Sequence, residues 1–159
     1  MSIFRNSLRM VLAAGALGVG MMVASTGASA QAAAPAPTKG GDKVVYHIDN
    51  SEAQATKGLR NIRNHLDVAP ETKIIVVTHA DGVKFLMEGA KDAKNRDIDY
   101  AALVSALKAR GVRFEVCEIT MRSNNLKKEQ FIMDADFTPS GVARIAQLQT
   151  REGYAYIKP

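Results

Sequence analysis

Two short apolar runs confine this chain to a fold in which strands are buried inside the molecule. Lys73–His79 (KIIVVTH) is a continuous β-branched run of the kind found in strands covered on both faces. Lys43–Ile48 (KVVYHI) has the same character. Shorter strands are predicted at Val112–Cys117, Ala135–Thr138 and Tyr154–Lys158. Strands of this kind need helices on both sides of the sheet.

Helical patterns separate these strands along the chain. The first helix is predicted to run to about Val68, with an N-cap at Asn50-Ser51 and with Ser51 and Gln54 at capping-box spacing. A second helix is capped by Asp99 and stops at Gly111. A short helix is predicted to bear Val83, Leu86 and Ala90. An irregular stretch is predicted at Thr120–Asn125, followed by one or two helical turns at Leu126–Ile132. The last helix is capped at Pro139–Gly141, and the residues that face inward or nearly so are Val142, Ile145, Leu148 and Gln149. Strand and helix alternate, which predicts an α/β fold: a three-layer α/β/α sandwich with a mainly parallel sheet.

The carboxyl ends of the strands are where ligands collect in such sheets. Four predicted loops form this edge: 49–51, 80–82, 118–125 and 139–141. Three residues that can carry chemistry, His47, His79 and Cys117, end strands at or near these loops. We therefore expect the functional site at this edge, with His47 and His79 side by side.

Cys117 is the only cysteine of the chain. Loop amides at a strand end, together with the nearby charge of Arg122, favour the thiolate and predict a reactive thiol. The alternative is a small buried hydrophobic residue. An imidazole close to the thiol would act as its base or hold its charge, whereas His47 and His79 taken singly also fit packing roles. His65 lies in the surface register of the first helix, and we expect it to be solvated.

A metal site is a further alternative for these side chains. Two imidazoles, a thiolate and a thioether (His47, His79, Cys117 and Met121) are ligand types that suit copper. Nothing in their spacing fixes a geometry, so neither a metal nor a cofactor is assigned. The sequence also lacks GxGxxG, GxxxxGK[ST], HExxH, GxSxG and CxxC.

The N-terminal residues have the pattern of an export signal. Arg5 and Arg9 precede an uncharged, apolar stretch that ends in Ala28-Ser29-Ala30, which is the small-x-small pattern of a cleavage site. A membrane anchor is the alternative, but the apolar core is short for a spanning helix. We predict a signal peptide over 1–30, an Ala/Pro/Gly-rich linker over 31–42, and a folded domain over 43–159. The mature protein would be periplasmic or secreted and would not contact a membrane.

Charge argues against a nucleic-acid partner. The net charge is +5, and removal of residues 1–30 leaves 19 Lys and Arg against 16 Asp and Glu. No cluster of cations exceeds the pair Lys127-Lys128, and no basic stripe is interleaved with aromatic residues. We therefore predict no nucleic-acid binding.

Several stretches of the domain resemble the DsrE/DsrF-like family of sulfur-relay proteins, in its branch with a signal peptide. They are VVYHIDN at 44–50, NIRNHL at 61–66, VVTHADGVKFL at 76–86, ALKARGVRFEVCEITM at 106–121 and PSGVARIAQLQTREGYAYIKP at 139–159. The resemblance implies a five-stranded, mainly parallel sheet with the second and third strands adjacent, which brings His79 toward Cys117. It also implies a homo-oligomer, and a cysteine that carries sulfur as a persulfide, at the position of Cys117.

Two functional hypotheses follow. The first is a periplasmic sulfur-handling protein in which Cys117 takes sulfane sulfur from a small sulfur compound and passes it to an acceptor thiol. His47, His79, Thr120, Met121 and Arg122 would form its pocket. The second is a homo-oligomeric binding module, without enzymatic activity, for a small anion or a soft metal at the same edge. Arg113 and Glu115, which alternate with apolar residues, and the tyrosines Tyr154 and Tyr156 are the predicted subunit contacts.

Overall fold

The computed structural model describes residues 41–159 of the chain. The predicted signal peptide and all but the last two residues of the predicted linker lie outside the described residues. Within 41–159, no helix combines the length and the apolar character needed to cross a membrane.

The sheet has five strands, and every neighbouring pair is parallel. The strands are β1 (Lys43–Ile48), β2 (Lys73–Thr78), β3 (Arg113–Cys117), β4 (Ala135–Thr138) and β5 (Ala155–Ile157). Their order across the sheet is β4-β3-β2-β1-β5. The predicted α/β fold with a five-stranded parallel sheet is confirmed, and β2 lies beside β3 as the resemblance implied.

Four α-helices and two 3-10 helices connect the strands. They are α1 (Ser51–Val68), α2 (Tyr100–Lys108), α3 (Glu118–Ser123) and α4 (Gly141–Thr150), with 3-10 helices at Ala80–Leu86 and Lys128–Gln130. The cap of α1 differs from the predicted capping box. Asn50 is the N-cap and accepts from the Ala53 amide at 3.0 Å, while Ser51 donates to the carbonyl of Asp81 at 2.7 Å.

Two further predictions about the helices are wrong. Most of the stretch predicted to be irregular belongs to α3, which is closed by the Asn124 side chain donating to the carbonyl of Thr120 at 2.9 Å. In α4, Ile145 and Leu148 are buried, but Val142 is 64% exposed and Gln149 is also exposed. Only one narrow stripe of α4 therefore packs on the sheet.

The two faces of the sheet are covered unequally. Alternate strand residues such as Val44, Val76 and Phe114 join α1 and α2 in a large apolar cluster, and we call this side the thick face. The intervening residues, among them Val45 and Val77, pack with Ile145 and Leu148 of α4 in a cluster of five buried residues. We call this second side the thin face.

An ionic network around the buried Glu115 lies beside this small cluster on the thin face. Glu115 is 2% exposed and accepts from Arg144 Nε at 2.9 Å. Arg144 also donates to Glu152 at 2.8 Å, and Arg113 lies 3.2 Å from Glu115. Glu115 and Arg113 thus find polar partners within the chain, so they give no argument for a neighbouring subunit. The homo-oligomer stays a prediction.

Candidate functional site

The predicted reactive residues meet at one edge of the thin face. In each strand the side chains alternate between the two faces, and Cys117, His79 and His47 share the side of Val45 and Val77. Parallel pairing brings the ends of β1, β2 and β3 level, with Ile48 opposite Thr78 and Thr78 opposite Val116. The site therefore follows from strand register and the period of two.

The backbone amides near the Cys117 thiol affect its ionisation. The residue is 4% exposed and is the N-cap of α3. Burial opposes ionisation of the thiol, but hydrogen bonds from the amides of Gly141, Thr120 and Ile119 and from the Thr120 hydroxyl outweigh it. The pKa of Cys117 therefore lies below its ordinary value. The site favours a thiolate.

The hydroxyl of Thr120 is oriented toward this role. Its oxygen accepts a hydrogen bond from the Ala80 amide at 3.0 Å, which leaves the hydroxyl proton free to be donated to the thiol. Ala80 has a positive φ of 48°, a conformation unusual for alanine, at the turn that follows β2. This hydrogen bond connects the turn after β2 to the helix after β3, next to the sulfur of Cys117.

Gly141 brings the fourth loop into the site at close range. A Cβ placed on Gly141 would lie 3.2 Å from the Cβ of His79 and 3.3 Å from the Cβ of Cys117. Glycine lets the first amide of α4 approach the thiol between these two side chains. The helix dipole of α4 adds to the stabilisation of a negative charge there.

A cavity of about 330 Å³ opens onto this thiol. Its lining consists of His79, Ala80, Cys117, Ile119, Thr120, Ser123, Asn124, Ser140 and Val142. Two of these side chains, Ile119 and Val142, are apolar and exposed at 48% and 64%. The cavity therefore combines a buried thiol, hydroxyl and amide groups, and an apolar rim.

His47 and His79 form a pair beside the cavity. Their Nε2 atoms are 2.7 Å apart, and the Nδ1 of His47 lies 2.7 Å from the Tyr156 hydroxyl. Burial lowers the pKa of His47, and the charge of His79 lowers it further, while Asp49 opposes this. The neutral form of His47 is therefore favoured.

Asp49 completes the surroundings of this histidine pair. Its carboxylate bonds to the Lys158 ammonium at 2.6 Å, which holds the pKa of Asp49 below its ordinary value. One oxygen of Asp49 and one nitrogen of each histidine lie within 4.8 Å of one another. Sequence reasoning missed Asp49, although it directly follows β1.

Two residues predicted to line the pocket, Met121 and Arg122, lie elsewhere, and His65 differs from its predicted surface role. Met121 is 5% exposed within the apolar cluster of the thick face and does not line the cavity. Arg122 is exposed and does not line the cavity, and its charge helps to lower the pKa of Glu118. His65 is half-buried and bonds to the Tyr46 hydroxyl at 3.1 Å, so its predicted full solvation is wrong.

The copper ligand set is also not brought together. Met121 packs in the apolar cluster of the thick face, whereas His47 lies on the thin face, bonded to His79. Sequence reasoning also missed Ile119 and Gly141, whose amides bond to the thiol. The signal available for Gly141 was its position in Pro139–Gly141, directly after a strand.

A second cavity, of about 370 Å³, lies away from the thiol, near the start of α1. Its lining includes Glu52, Asp81, Lys84, Lys91 and Arg96, but no cysteine or histidine. The cavity at Cys117, which is lined by the thiol and by the imidazole of His79, is therefore the candidate site.

Comparison with known proteins agrees with this architecture. The family model described as the DsrE/DsrF-like family matches residues 5–159. The solved structure of a protein of unknown function, MTH1491 from Methanobacterium thermoautotrophicum, shares 34% identity; the match covers 74% of this chain and 99% of that one, with a TM-score of 0.64. The ychN protein of E. coli has the same coverage with 12% identity and a TM-score of 0.62. No curated protein sequence matches.

Proposed function

Because the chain belongs to the DsrE/DsrF-like family, we propose that it handles sulfur, with Cys117 carrying sulfane sulfur as a persulfide. The family relationship suggests a sulfur-relay function. The observation that carries the finer proposal is the set of three amides and one hydroxyl that lower the pKa of the Cys117 thiol. A sulfur carrier needs a thiolate at neutral pH, because the thiolate is the attacking species.

The first step is a sulfur transfer without net oxidation. The Cys117 thiolate attacks the outer sulfur of a small persulfide, R–S–SH. A new sulfur–sulfur bond forms to Cys117, the bond between the two sulfurs of the donor breaks, and R–S⁻ leaves with the electron pair. The proton stays on the transferred sulfur, giving Cys117–S–SH. An acceptor thiolate then attacks that outer sulfur and regenerates the Cys117 thiolate.

The surrounding groups suit both forms of this cysteine. The amides of Ile119, Thr120 and Gly141 stabilise negative charge on the thiolate that begins and ends each cycle. The cavity of about 330 Å³ gives space for one additional sulfur and a small donor. Because the Nε2 of His79 is engaged by His47, this imidazole shapes the wall and does not act as the base through that atom.

Export is the second part of the proposal. The signal-like pattern of residues 1–30 favours cleavage after Ala30 and function in the periplasm or outside the cell. N-terminal sequencing of protein recovered from the periplasm should give Gln31 as the first residue. Recovery of the chain in the membrane fraction with its original N-terminus would contradict export with cleavage.

Intact mass spectrometry after polysulfide treatment tests the persulfide. Wild-type protein should gain mass in steps of one sulfur atom, and a small thiol should remove the gain. Cys117→Ser should gain nothing, whereas His65→Ala should behave as wild type because His65 lies outside the site. If the thiol reacts only after unfolding, the carrier hypothesis fails and a binding module without sulfur chemistry takes its place.

A further inference from the structure

We propose that His47, Asp49 and His79 form a binding site for one divalent transition metal ion of the Zn²⁺ type, beside the Cys117 thiol and separate from it. His47 lies near the end of β1, Asp49 directly follows β1, and His79 directly follows β2. They offer two imidazole nitrogens and one carboxylate oxygen, a ligand set that suits zinc. The inference does not rest on the sulfur chemistry, because the thiol is not one of the ligands.

The three ligand atoms can reach one ion after movement of their side chains. The atoms lie within 4.8 Å of one another, so the widest separation would close by up to about 1.5 Å to reach the ligand spacing of a tetrahedral zinc site. A tetrahedral site places two nitrogens about 3.3 Å apart. The present 2.7 Å between the Nε2 atoms of His47 and His79 would thus widen by about 0.6 Å.

The orientation of the histidines supports this use. Both Nε2 atoms point at the same place, so without a cation one of them must carry a proton between the rings. The other nitrogen of His47 contacts the Tyr156 hydroxyl at 2.7 Å. Ligating histidines ordinarily have such a partner on the second nitrogen, which fixes the tautomer and the ring orientation. Tyr156 therefore serves as a positioning residue.

Lys158 sets the affinity of this site. Its ammonium bonds to the Asp49 carboxylate at 2.6 Å. The ammonium therefore neutralises the negative charge that would otherwise attract a metal ion. Binding must displace this exposed ammonium, which returns to water. Three protein ligands leave one tetrahedral position for water or a small ligand. We infer that Lys158 keeps the site moderate in affinity.

Zinc titration of the purified protein tests the site, with a chromophoric chelator as competitor. Wild type should bind one equivalent. Asp49→Asn, His47→Gln and His79→Gln should each weaken binding by at least about tenfold, and Tyr156→Phe by about tenfold. Lys158→Gln should tighten binding. His65→Gln, a histidine outside the cluster, should leave it unchanged.

Cobalt substitution separates this site from the thiol. With Co²⁺ in place of Zn²⁺, wild type and Cys117→Ser should give the same absorption spectrum, without a sulfur-to-metal charge-transfer band. Asp49→Asn and Lys158→Gln alter exposed or half-buried side chains, so they test the site even if a histidine variant fails to fold. Absence of binding in wild type, unchanged binding in Asp49→Asn, or loss of binding in Cys117→Ser would each overturn the proposal. None of these outcomes alters the persulfide test.

Discussion

The thick and thin faces of the sheet use the same strands for different purposes. On the thick face, 22 buried residues form one apolar cluster with α1, α2 and the first 3-10 helix. On the thin face, three buried strand residues pack against two residues of α4, and the ion pair of Glu115 and Arg144 lies beside them. Cys117, His47 and His79 all belong to the thin face. Stability is concentrated on one side and chemistry on the other.

The physical reason lies in what each face can solvate. A thiolate, a histidine pair and a carboxylate need amides, hydroxyls or water around them, and an apolar cluster offers none. The single helix α4 leaves the carboxyl edge of the thin face open, and its first amide supplies a donor to Cys117. The incomplete cover is therefore what makes the site possible.

The largest expected effect compares two neighbouring isoleucines of β2. Ile74 is 2% exposed on the thick face, and Ile75 is 5% exposed on the thin face. Ile74→Ala should cost about 4–5 kcal/mol of unfolding free energy, because the dense cluster cannot collapse into the space left behind. Ile75→Ala should cost about 2 kcal/mol. Urea denaturation measures both, and equal losses would break the distinction between the faces.

The next effect concerns the ionic network of the thin face. Glu115→Gln should lower the unfolding free energy by about 1–3 kcal/mol, because Arg144 keeps Glu152 but loses its buried partner. Replacing both Glu115 and Arg144 with methionine should change the unfolding free energy little, because burying an ion pair carries a large desolvation cost. A double replacement that costs more than the single one would show that the thin face depends on its charges for stability.

The sequence predicted the positions of the strands better than the site. Continuous apolar runs such as Lys73–Thr78 are specified locally, so every strand was placed to within one residue. Cys117 and His79 were found because strand ends share an edge. Gly141 and Asp49 were missed because their roles depend on a close approach and a ring orientation that only tertiary packing fixes. Met121 was misplaced because α3, taken as irregular, turns its side chain into the core.

A smaller effect concerns the pKa of the Cys117 thiol on the thin face. Thr120→Val removes the hydroxyl donor to Cys117, and the pKa of the thiol should rise toward its ordinary value. The iodoacetamide rate profile should then shift to higher pH, with a slower reaction at pH 7. Arg122→Ala is the matched control from the same helix, because this exposed side chain does not line the cavity. Equal shifts in both variants would assign the lowered pKa to general charge and not to hydrogen bonding.

The smallest effect concerns the polar cluster that borders the thick face, where Asp92 accepts from the hydroxyls of Thr56 and Tyr100. The hydrogen bond from Thr56, followed by those from the amides of Asn95 and Lys94, lowers the pKa of Asp92 to about 2. Because the folded-state pKa lies below the unfolded value of about 3.9, this carboxylate contributes stability above pH 4. The contribution is lost as pH falls from about 4 through about 2.

Asp92→Asn should therefore lower the unfolding free energy at pH 7 and flatten its dependence on pH between about 4 and about 2. Denaturation by urea at several pH values in this window measures the slope. The exposed Asp81 is the control, since Asp81→Asn removes only a surface ion pair with Lys84. If wild type and Asp92→Asn lose stability in parallel in acid, the acid sensitivity belongs to other carboxylates.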